Sequence, residues 1–230
     1  MENERRIDRT TSMGMDEHRL SDILHASQIK ATDIYETPPQ IIWIDNSTIA
    51  TLGNFSASTG KAKSKKTFNV SALVAASLAG KQVLNYRAHL PEGKQRILYV
   101  DTEQSRFHCR SVLERILRLA GLPTTTDPEN LDFFCLREYS PSVRIEVIDY
   151  ALRQQKGYGL VIIDGIRDLM LDINNAGESV EVINRMMEWS SRYDLHIHCV
   201  LHLNKGDNSF VGFDLIPNGH RQSIKMPAVC

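Results

Sequence analysis

The stretch STGKAKSKKTF, residues 58–68, decides the fold, because it places four lysines and one glycine between a strand-like segment and a helix-like one. The preceding GNFSAS (53–58) is typical of a short strand, and TFNVSALVAASLAG (67–80) carries Ala, Leu and Val at helical spacing. A lysine-rich loop is a solvated basic surface, a nucleic-acid patch or a phosphate-binding loop. The position between a strand and a helix favours the third interpretation.

The segment that begins at Gly60 follows the phosphate-loop pattern G-x-x-x-x-G-K-[ST] at every fixed position except one. Its backbone N–H groups and the N-terminus of the next helix would form an anion-binding nest. Lys66 is expected to reach the outer phosphates of a nucleotide, and the Thr67 hydroxyl is expected to ligate Mg²⁺. The exception is Lys65, which replaces a glycine that lets the backbone approach the phosphates closely. The predicted nucleotide-binding residues of this loop are Gly60, Lys61, Ala62, Lys63, Ser64, Lys65, Lys66 and Thr67.

The composition of the whole chain fits one α/β domain. Of its 230 residues, 42% are hydrophobic and 24% are charged, and the formal net charge of -1 argues against a uniformly basic nucleic-acid binder. No apolar run approaches the roughly 20 residues of a membrane span, and the polar N-terminus lacks the apolar core of a secretory signal. The four cysteines are scattered, which is typical of free thiols in a reducing compartment. We therefore expect a cytoplasmic protein with no membrane partner.

Downstream of the loop, apolar strand-like segments alternate with amphipathic helix-like ones. This pattern predicts right-handed βαβ units and a mostly parallel central sheet with helices on both faces. Over the whole chain, the predicted strands before the loop are IIWID (41–45), TIATL (48–52) and GNFSAS (53–58). Those after it are RILYVD (96–101), LDFFCLR (131–137), GLVIID (159–164) and LHIHCVLHL (195–203). The predicted later helices cover 105–121, 142–155 and 179–193. The predicted division is a flexible N-terminal arm at 1–39, a core domain at 40–207 and a short tail at 208–230.

Polar residues stand at the carboxyl ends of the predicted strands, which is where parallel sheets bind their ligands. Asp164 ends GLVIID and is predicted to hold Mg²⁺ through a water, although it would also cap the next turn. Glu103 is our candidate for the base that activates the water attacking a γ-phosphate, and helix capping is its alternative role. Asp101 is expected to shape the site or to assist with Mg²⁺. His202 and Lys205 end the last strand, where they would sense that phosphate and stabilise charge.

The histidines and the cysteine of LHIHCVLHL do not predict a zinc site. Because side chains alternate along a strand, His196, His198 and His202 would lie on one face and Cys199 on the other. We therefore expect His196 and His198 to be core or sheet-face residues.

Four segments in this order, GKAKSKKT, ILYVDTEQS, LVIIDGIRDL and VLHLNKG, resemble the motifs of RecA-like P-loop ATPases, and most of all the RepA-like hexameric helicase ATPases of plasmids and mobile genetic elements. The resemblance covers roughly residues 40–207. It implies a RecA-like core that binds ATP and Mg²⁺, hydrolyses ATP and acts on DNA in replication or mobilisation, as a homo-oligomeric ring. It also implies that the phosphate-loop strand lies beside the fifth strand, with the Asp164 strand next.

The resemblance assigns a role to each motif residue. The implied catalytic residues are Lys66, Glu103 and His202. Asp164 and Lys205 join the loop in binding nucleotide, and Thr67 and Asp164 are the implied Mg²⁺ ligands, the latter through a water.

The sequence departs from the family in two places. Lys65 replaces the second loop glycine. The tail at 208–230 lacks the family's further strands and the arginine or lysine finger that faces the neighbouring subunit, so we expect a truncated or altered tail.

Three alternative functions stay open. The first alternative is a nucleotide-binding regulatory module without useful turnover. The second is a ParA-type partition ATPase, since Lys61 stands five residues before Lys66. The third is a plain DNA-binding protein. The predicted helix at 105–121 carries arginines that would face DNA, a neighbouring subunit or solvent, namely Arg106, Arg110, Arg115 and Arg118.

Overall fold

A computed structural model of the protein describes residues 17–60, 66–154, 156–172 and 175–202. Several predictions concern residues outside these ranges. They are the predictions for Lys61, Ala62, Lys63, Ser64, Lys65 and Lys205, for the first 16 residues and for the tail at 208–230.

The chain divides into two compact units, Met1–Thr37 and Pro38–Cys230. The described part of the first unit contains one helix, α1 (Glu17–Ser27), within the segment that the sequence predicts to be an N-terminal arm. None of the described helices is both long and apolar enough to cross a lipid bilayer.

The second unit alternates strands and helices along the chain. Its strands are β1 (Gln40–Ile44), β2 (Ser47–Thr51), β3 (Phe55–Gly60), β4 (Gln82–Val83), β5 (Tyr86–Ala88), β6 (Arg96–Asp101), β7 (Leu131–Cys135), β8 (Tyr158–Asp164) and β9 (His196–His202). Its helices are α2 (Lys66–Ala79), α3 (Arg106–Ala120), α4 (Pro141–Gln154) and α5 (Ala176–Arg192), with a short 3-10 helix at Ile166–Leu169. Every predicted helix and strand is present, and its ends differ from the prediction by at most three residues.

The main sheet has five strands in the order β3-β9-β8-β6-β7, and every neighbouring pair is parallel. The predicted parallel sheet is therefore confirmed, and so is the strand order that places β3 beside β9 and β8 next. The register aligns the carboxyl ends of the strands: Gly60 pairs with His202, and Asp101 pairs with Asp164. The predicted functional residues of four strands thus lie along one edge of the sheet.

The helices cover both faces of this sheet, as the sequence predicts. Successive residues of β8 point to opposite faces: Ile162 belongs to the apolar cluster that contains α2 and α3, while Ile163 belongs to the cluster that contains α4 and α5. All seven residues of β8 are buried. This two-sided burial explains why the strand is a continuous apolar run rather than an alternating one.

A second, antiparallel sheet has the order β2-β1-β5-β4 and shares the apolar cluster of α2. Ile41 and Ile42 of β1 are fully buried there. The sequence does not predict β4 and β5, because strands of two and three residues are too short to show an alternating pattern.

Two buried histidines and two serines join β3 to β9. The His196 Nδ1 donates to the Thr51 carbonyl at 2.9 Å, so its Nε2 accepts from Ser56 Oγ at 2.8 Å. The same Ser56 oxygen then accepts from His198 Nδ1, and His198 Nε2 accepts from Ser58 Oγ, each at 2.8 Å. These directions are the ones that two neutral imidazoles allow, with one N–H donor and one acceptor nitrogen on each ring. The prediction that His196 and His198 are core residues is confirmed, since both are buried.

The neutral histidines predict a pH-dependent stability. Burial lowers the pKa of His196 to about 4, and burial together with the charge of His196 lowers the pKa of His198 to about 3. An unfolded chain binds protons at these groups near pH 6.5, so it binds more protons than the folded protein below that pH. The free energy of unfolding should therefore fall as the pH is lowered from 6.5, by about 2 kcal/mol per buried histidine at pH 5.

Urea unfolding at pH 7.5 and pH 5 measures this loss. The His198→Gln variant should lose part of the pH dependence, while His108→Gln, which changes an exposed histidine, should keep it. If the pH dependence of unfolding is unchanged in His198→Gln, the buried histidine is not held neutral in the folded protein.

Candidate nucleotide-binding site

The end of β3 and the start of α2 are tied together by Lys66. Its Nζ donates to the Gly60 carbonyl at 2.7 Å, and the residue is 3% exposed. Thr67 follows in the first turn of α2, where its carbonyl accepts from Ser71 Oγ at 2.6 Å. The described ends of the loop therefore meet at the N-terminus of a 14-residue helix, where the helix dipole and the first N–H groups favour an anion.

Two carboxylates act on the Lys66 amine. Burial lowers the pKa of Lys66, while the negative charges of Glu103 and Asp164 raise it in part. A cation held in a partly desolvated position interacts strongly with a phosphate, because water screens it poorly there. The sequence-predicted Lys66, Glu103 and Asp164 are thus in electrostatic contact, although they come from three separate elements.

Asp164, at the end of β8, is buried and oriented by a tyrosine. The Tyr99 hydroxyl donates to Asp164 Oδ2 at 2.8 Å, and the Tyr99 ring stacks on Phe133 with a centroid distance of 4.3 Å. Burial raises the pKa of Tyr99 well above its usual value, so the hydroxyl remains a donor. Our sequence reasoning missed Tyr99. Its signal was a tyrosine two residues before the end of β6, the strand beside β8.

Asp101, at the end of β6, shapes the next loop. Its Oδ1 accepts from the backbone N–H of Glu103 at 3.1 Å and of Gln104 at 2.8 Å, and its Oδ2 accepts from the Gln104 side chain at 2.8 Å. Burial raises the pKa of Asp101, and these hydrogen bonds lower it in part. The contacts agree with the site-shaping role expected for Asp101.

Glu103 is exposed in the loop that Asp101 holds. The alternative role predicted for this segment is to cap the N-terminus of α3. Ser105 is the N-cap residue of α3, but its side chain makes no capping hydrogen bond and instead contacts His108 Nδ1 at 2.9 Å.

Thr102 connects the Glu103 loop to the loop that follows β8 through hydrogen bonds. Its N–H donates to the Asp164 carbonyl at 3.0 Å, and its hydroxyl lies 2.9 Å from the Gly165 carbonyl and 2.9 Å from Asp168 Oδ2. Gly165 has a φ of 103°, and a Cβ there would overlap Thr102 Oγ1 and lie 2.8 Å from Glu103 Cγ. These contacts between Thr102 and the Gly165 loop are called the Thr102 clamp below. The sequence does not predict the clamp, because a threonine between two carboxylates belongs to no motif.

The remaining predicted residues fall into two groups. The backbone of His202 pairs with Gly60, which places this residue beside the phosphate-loop strand. Lys205 and the loop residues from Lys61 to Lys65 lie outside the described residues.

The residues present fit Mg²⁺ in the way that nucleotide enzymes hold it. Within the described ranges, no group of three or more His, Cys, Asp or Glu side chains could hold a metal ion. Mg²⁺ at phosphate sites is usually bound by one or two protein oxygens together with substrate phosphates and water. The Thr67 hydroxyl and the Asp164 carboxylate match that requirement.

The arginines of α3 are largely engaged with neighbouring side chains. Arg110 and Arg118 form ion pairs with Glu114 at 3.0 and 3.4 Å, and Arg115 donates to Ser71 Oγ at 3.4 Å. These contacts favour a solvated face over a DNA-binding one.

The model of the AAA domain family matches residues 20–208, which include every described strand and helix from β1 to β9. A search of curated proteins finds no match.

The close packing at the Thr102 clamp predicts that a side chain at Gly165 lowers the free energy of unfolding. Gly53 also has a positive φ, of 73°, but a Cβ there would meet no atom within 4 Å. Gly53→Ala should therefore cost about 1–2 kcal/mol of left-handed backbone strain. Gly165→Ala should cost about 1–3 kcal/mol more, because Thr102 and Glu103 must move. Urea unfolding measures both, and equal losses in the two variants would contradict the close packing of the two loops.

Proposed function

Because the chain belongs to the AAA domain family of P-loop ATPases, we propose that it binds ATP with Mg²⁺ and hydrolyses it at the carboxyl edge of the five-stranded sheet. The observation that carries the proposal is the buried Lys66 amine at the N-terminus of α2, in electrostatic contact with Glu103 and Asp164. A desolvated cation at a helix N-terminus is suited to a polyphosphate, and two nearby carboxylates supply the acid–base and metal-binding groups that hydrolysis needs.

Binding would begin at Lys66. Its ammonium group would exchange the Gly60 carbonyl for a phosphate oxygen, with the first N–H groups of α2 facing the same anion. Thr67 and Asp164 would hold Mg²⁺, which when bound neutralises negative charge on the phosphates. Tyr99 would keep the Asp164 carboxylate in place through its hydrogen bond.

Hydrolysis would depend on Glu103. Its carboxylate would take a proton from the water that attacks the γ-phosphate. The loop that carries it is held from both sides, by the Asp101 carboxylate and by the Thr102 clamp. His202, whose backbone pairs with Gly60, is our candidate for the phosphate sensor, together with Lys205.

The proposed cellular role is that of a helicase-like motor in DNA replication or in the mobilisation of a mobile element. DNA and further copies of the chain would be its partners, and the cytoplasm its location. The support is the resemblance of four sequence segments to RepA-like ATPases, together with the order of β3, β9 and β8. The free thiols of the three described cysteines agree with a reducing compartment.

Two substitutions test the proposed chemistry. Lys66→Ala should weaken ATP binding by about tenfold to a hundredfold, because it removes a charge-assisted hydrogen bond to phosphate. Glu103→Gln should keep ATP affinity and lower phosphate release by about a hundredfold or more, because it removes a general base. Equilibrium binding of a fluorescent ATP analogue and phosphate release, with and without single-stranded DNA, measure both effects.

Lys81→Ala and Glu138→Gln are matched controls, since both residues are exposed and lie outside the site. Neither should change binding or turnover. Undiminished binding in Lys66→Ala would exclude the loop assignment. ATP binding without turnover above background in the wild-type protein would instead favour the regulatory module, and the absence of a response to DNA would count against the motor role.

Lys65 supplies a separate prediction about turnover. A Cβ at the position of the second loop glycine keeps the backbone away from the phosphates. Lys65→Gly should therefore raise the rate of phosphate release several-fold at saturating ATP. Lys63→Gly is the control for the loss of one loop charge. An equal or lower rate in Lys65→Gly would show that the lysine does not limit hydrolysis.

A further inference from the structure

Two cysteine thiols meet at the loop that carries Glu103. Cys109 lies in the first turn of α3 and Cys135 is the last residue of β7. Both sulfurs donate to the carbonyl oxygen of Gln104, at 3.6 Å from Cys109 and 3.3 Å from Cys135. Cys135 also contributes to the raised pKa of the Cys109 thiol, which agrees with the two sulfurs lying close together. Gln104 directly follows Glu103, so this thiol pair lies directly beside the loop of the proposed base.

The surroundings give the two thiols different access. Cys109 is 4% exposed, whereas Cys135 is half-buried. Burial raises the pKa of the Cys109 thiol, and the charge of Asp101 raises it further, so Cys109 stays protonated in the reduced protein. Because Cys135 is the more exposed of the two, an oxidant from solvent would reach it first. Cys109, whose thiol shares the Gln104 carbonyl with Cys135, would be the resolving thiol and would give up its proton as it attacks.

We propose that Cys109 and Cys135 form a reversible disulfide that displaces the Glu103 loop and slows hydrolysis without preventing nucleotide binding. The effect on hydrolysis rests on the proposed function, while the disulfide and the loop displacement do not. The oxidant would be hydrogen peroxide. The Cys135 sulfur attacks one peroxide oxygen and the O–O bond breaks. The departing hydroxide takes the Cys135 thiol proton and leaves as the first water, and Cys135 becomes a sulfenic acid. Cys109 sulfur then attacks that sulfur, its proton leaves with the hydroxyl as the second water, and the S–S bond forms.

The structural consequence follows from the shared carbonyl. In the reduced protein, the Gln104 oxygen accepts from both thiols, and Asp101 accepts from the N–H groups of Glu103 and Gln104. A disulfide has no S–H donor, and its sulfurs lie about 2 Å apart. The Gln104 carbonyl would therefore lose both thiol partners, and the end of β7 would move toward α3.

The geometry of the sheet makes this movement local. Among the described strands, β7 lies at the edge of the sheet and pairs with β6 alone, so a movement of its end disturbs one strand pairing. Lys66 and the start of α2 belong to other elements, which leaves the phosphate contacts in place. A displacement of about 1 Å at a catalytic group can lower a rate by about a hundredfold. Cys109 and Cys135 are thus positioning residues, and the reduced pair holds Glu103 in its working place.

The test uses the full chain with Cys230 replaced by serine. Treatment with hydrogen peroxide, followed by peptide mass spectrometry, should show a Cys109–Cys135 cross-link. Amide hydrogen exchange should become faster at Glu103 and Gln104. Phosphate release should fall about tenfold or more while ATP affinity stays the same, and dithiothreitol should reverse every change.

Serine variants separate the disulfide from general damage. Cys109→Ser and Cys135→Ser keep a donor for the Gln104 carbonyl but cannot form the bond, so peroxide should leave their hydrolysis unchanged. Cys199→Ser is the matched control: this buried thiol donates to the Ser56 carbonyl at 3.4 Å, and its loss should leave the peroxide response intact.

Absence of the cross-link would overturn the proposal, and so would a cross-link with unchanged exchange at Glu103 and Gln104. If the reduced protein hydrolyses no ATP, the proposed function fails. The cross-link and the amide exchange then decide the loop displacement by themselves.

Discussion

The hydrogen bond from Lys66 to the Gly60 carbonyl joins the last residue of β3 to the first residue of α2. A buried ammonium group needs a polar partner, and the carbonyl at the strand end provides one. The register of the sheet then sets what surrounds this cation. Because β9 lies beside β3 and β8 beside β9, the ends of all three strands converge on the same edge. The candidate site is thus a consequence of strand order, which brings together residues that are far apart in sequence.

The second constraint is the packing of the loops that follow β6 and β8. Thr102 bonds to the carbonyls of the β8 loop, and Gly165 has no side chain where Thr102 and Glu103 approach. Tyr99 reaches across from β6 to the Asp164 carboxylate. These contacts pack the loop of the proposed base against the end of the strand that carries the proposed metal ligand. The thiols of Cys109 and Cys135 donate hydrogen bonds to the same loop, and we propose that their oxidation displaces it.

Much of this architecture could be predicted from the sequence. Apolar strands alternating with amphipathic helices specify a parallel sheet, because both faces must be covered. The acidic residues that end β6 and β8 could be found for the same reason, since each follows a buried apolar run. The short β4 and β5 could not, because they have too few residues to show a period. The partners Tyr99 and Thr102, and the meeting of Cys109 with Cys135, depend on distances between separate elements, which no local pattern contains.

The exchange of the Lys66 ammonium group from a carbonyl to a phosphate is the central claim. A crystal structure of the protein with a non-hydrolysable ATP analogue and Mg²⁺ tests it most directly. We expect Lys66 Nζ to leave the Gly60 carbonyl and to contact a phosphate oxygen, with Thr67 and Asp164 on the Mg²⁺ side of the nucleotide. A nucleotide bound elsewhere, with Lys66 still on the Gly60 carbonyl, would contradict it.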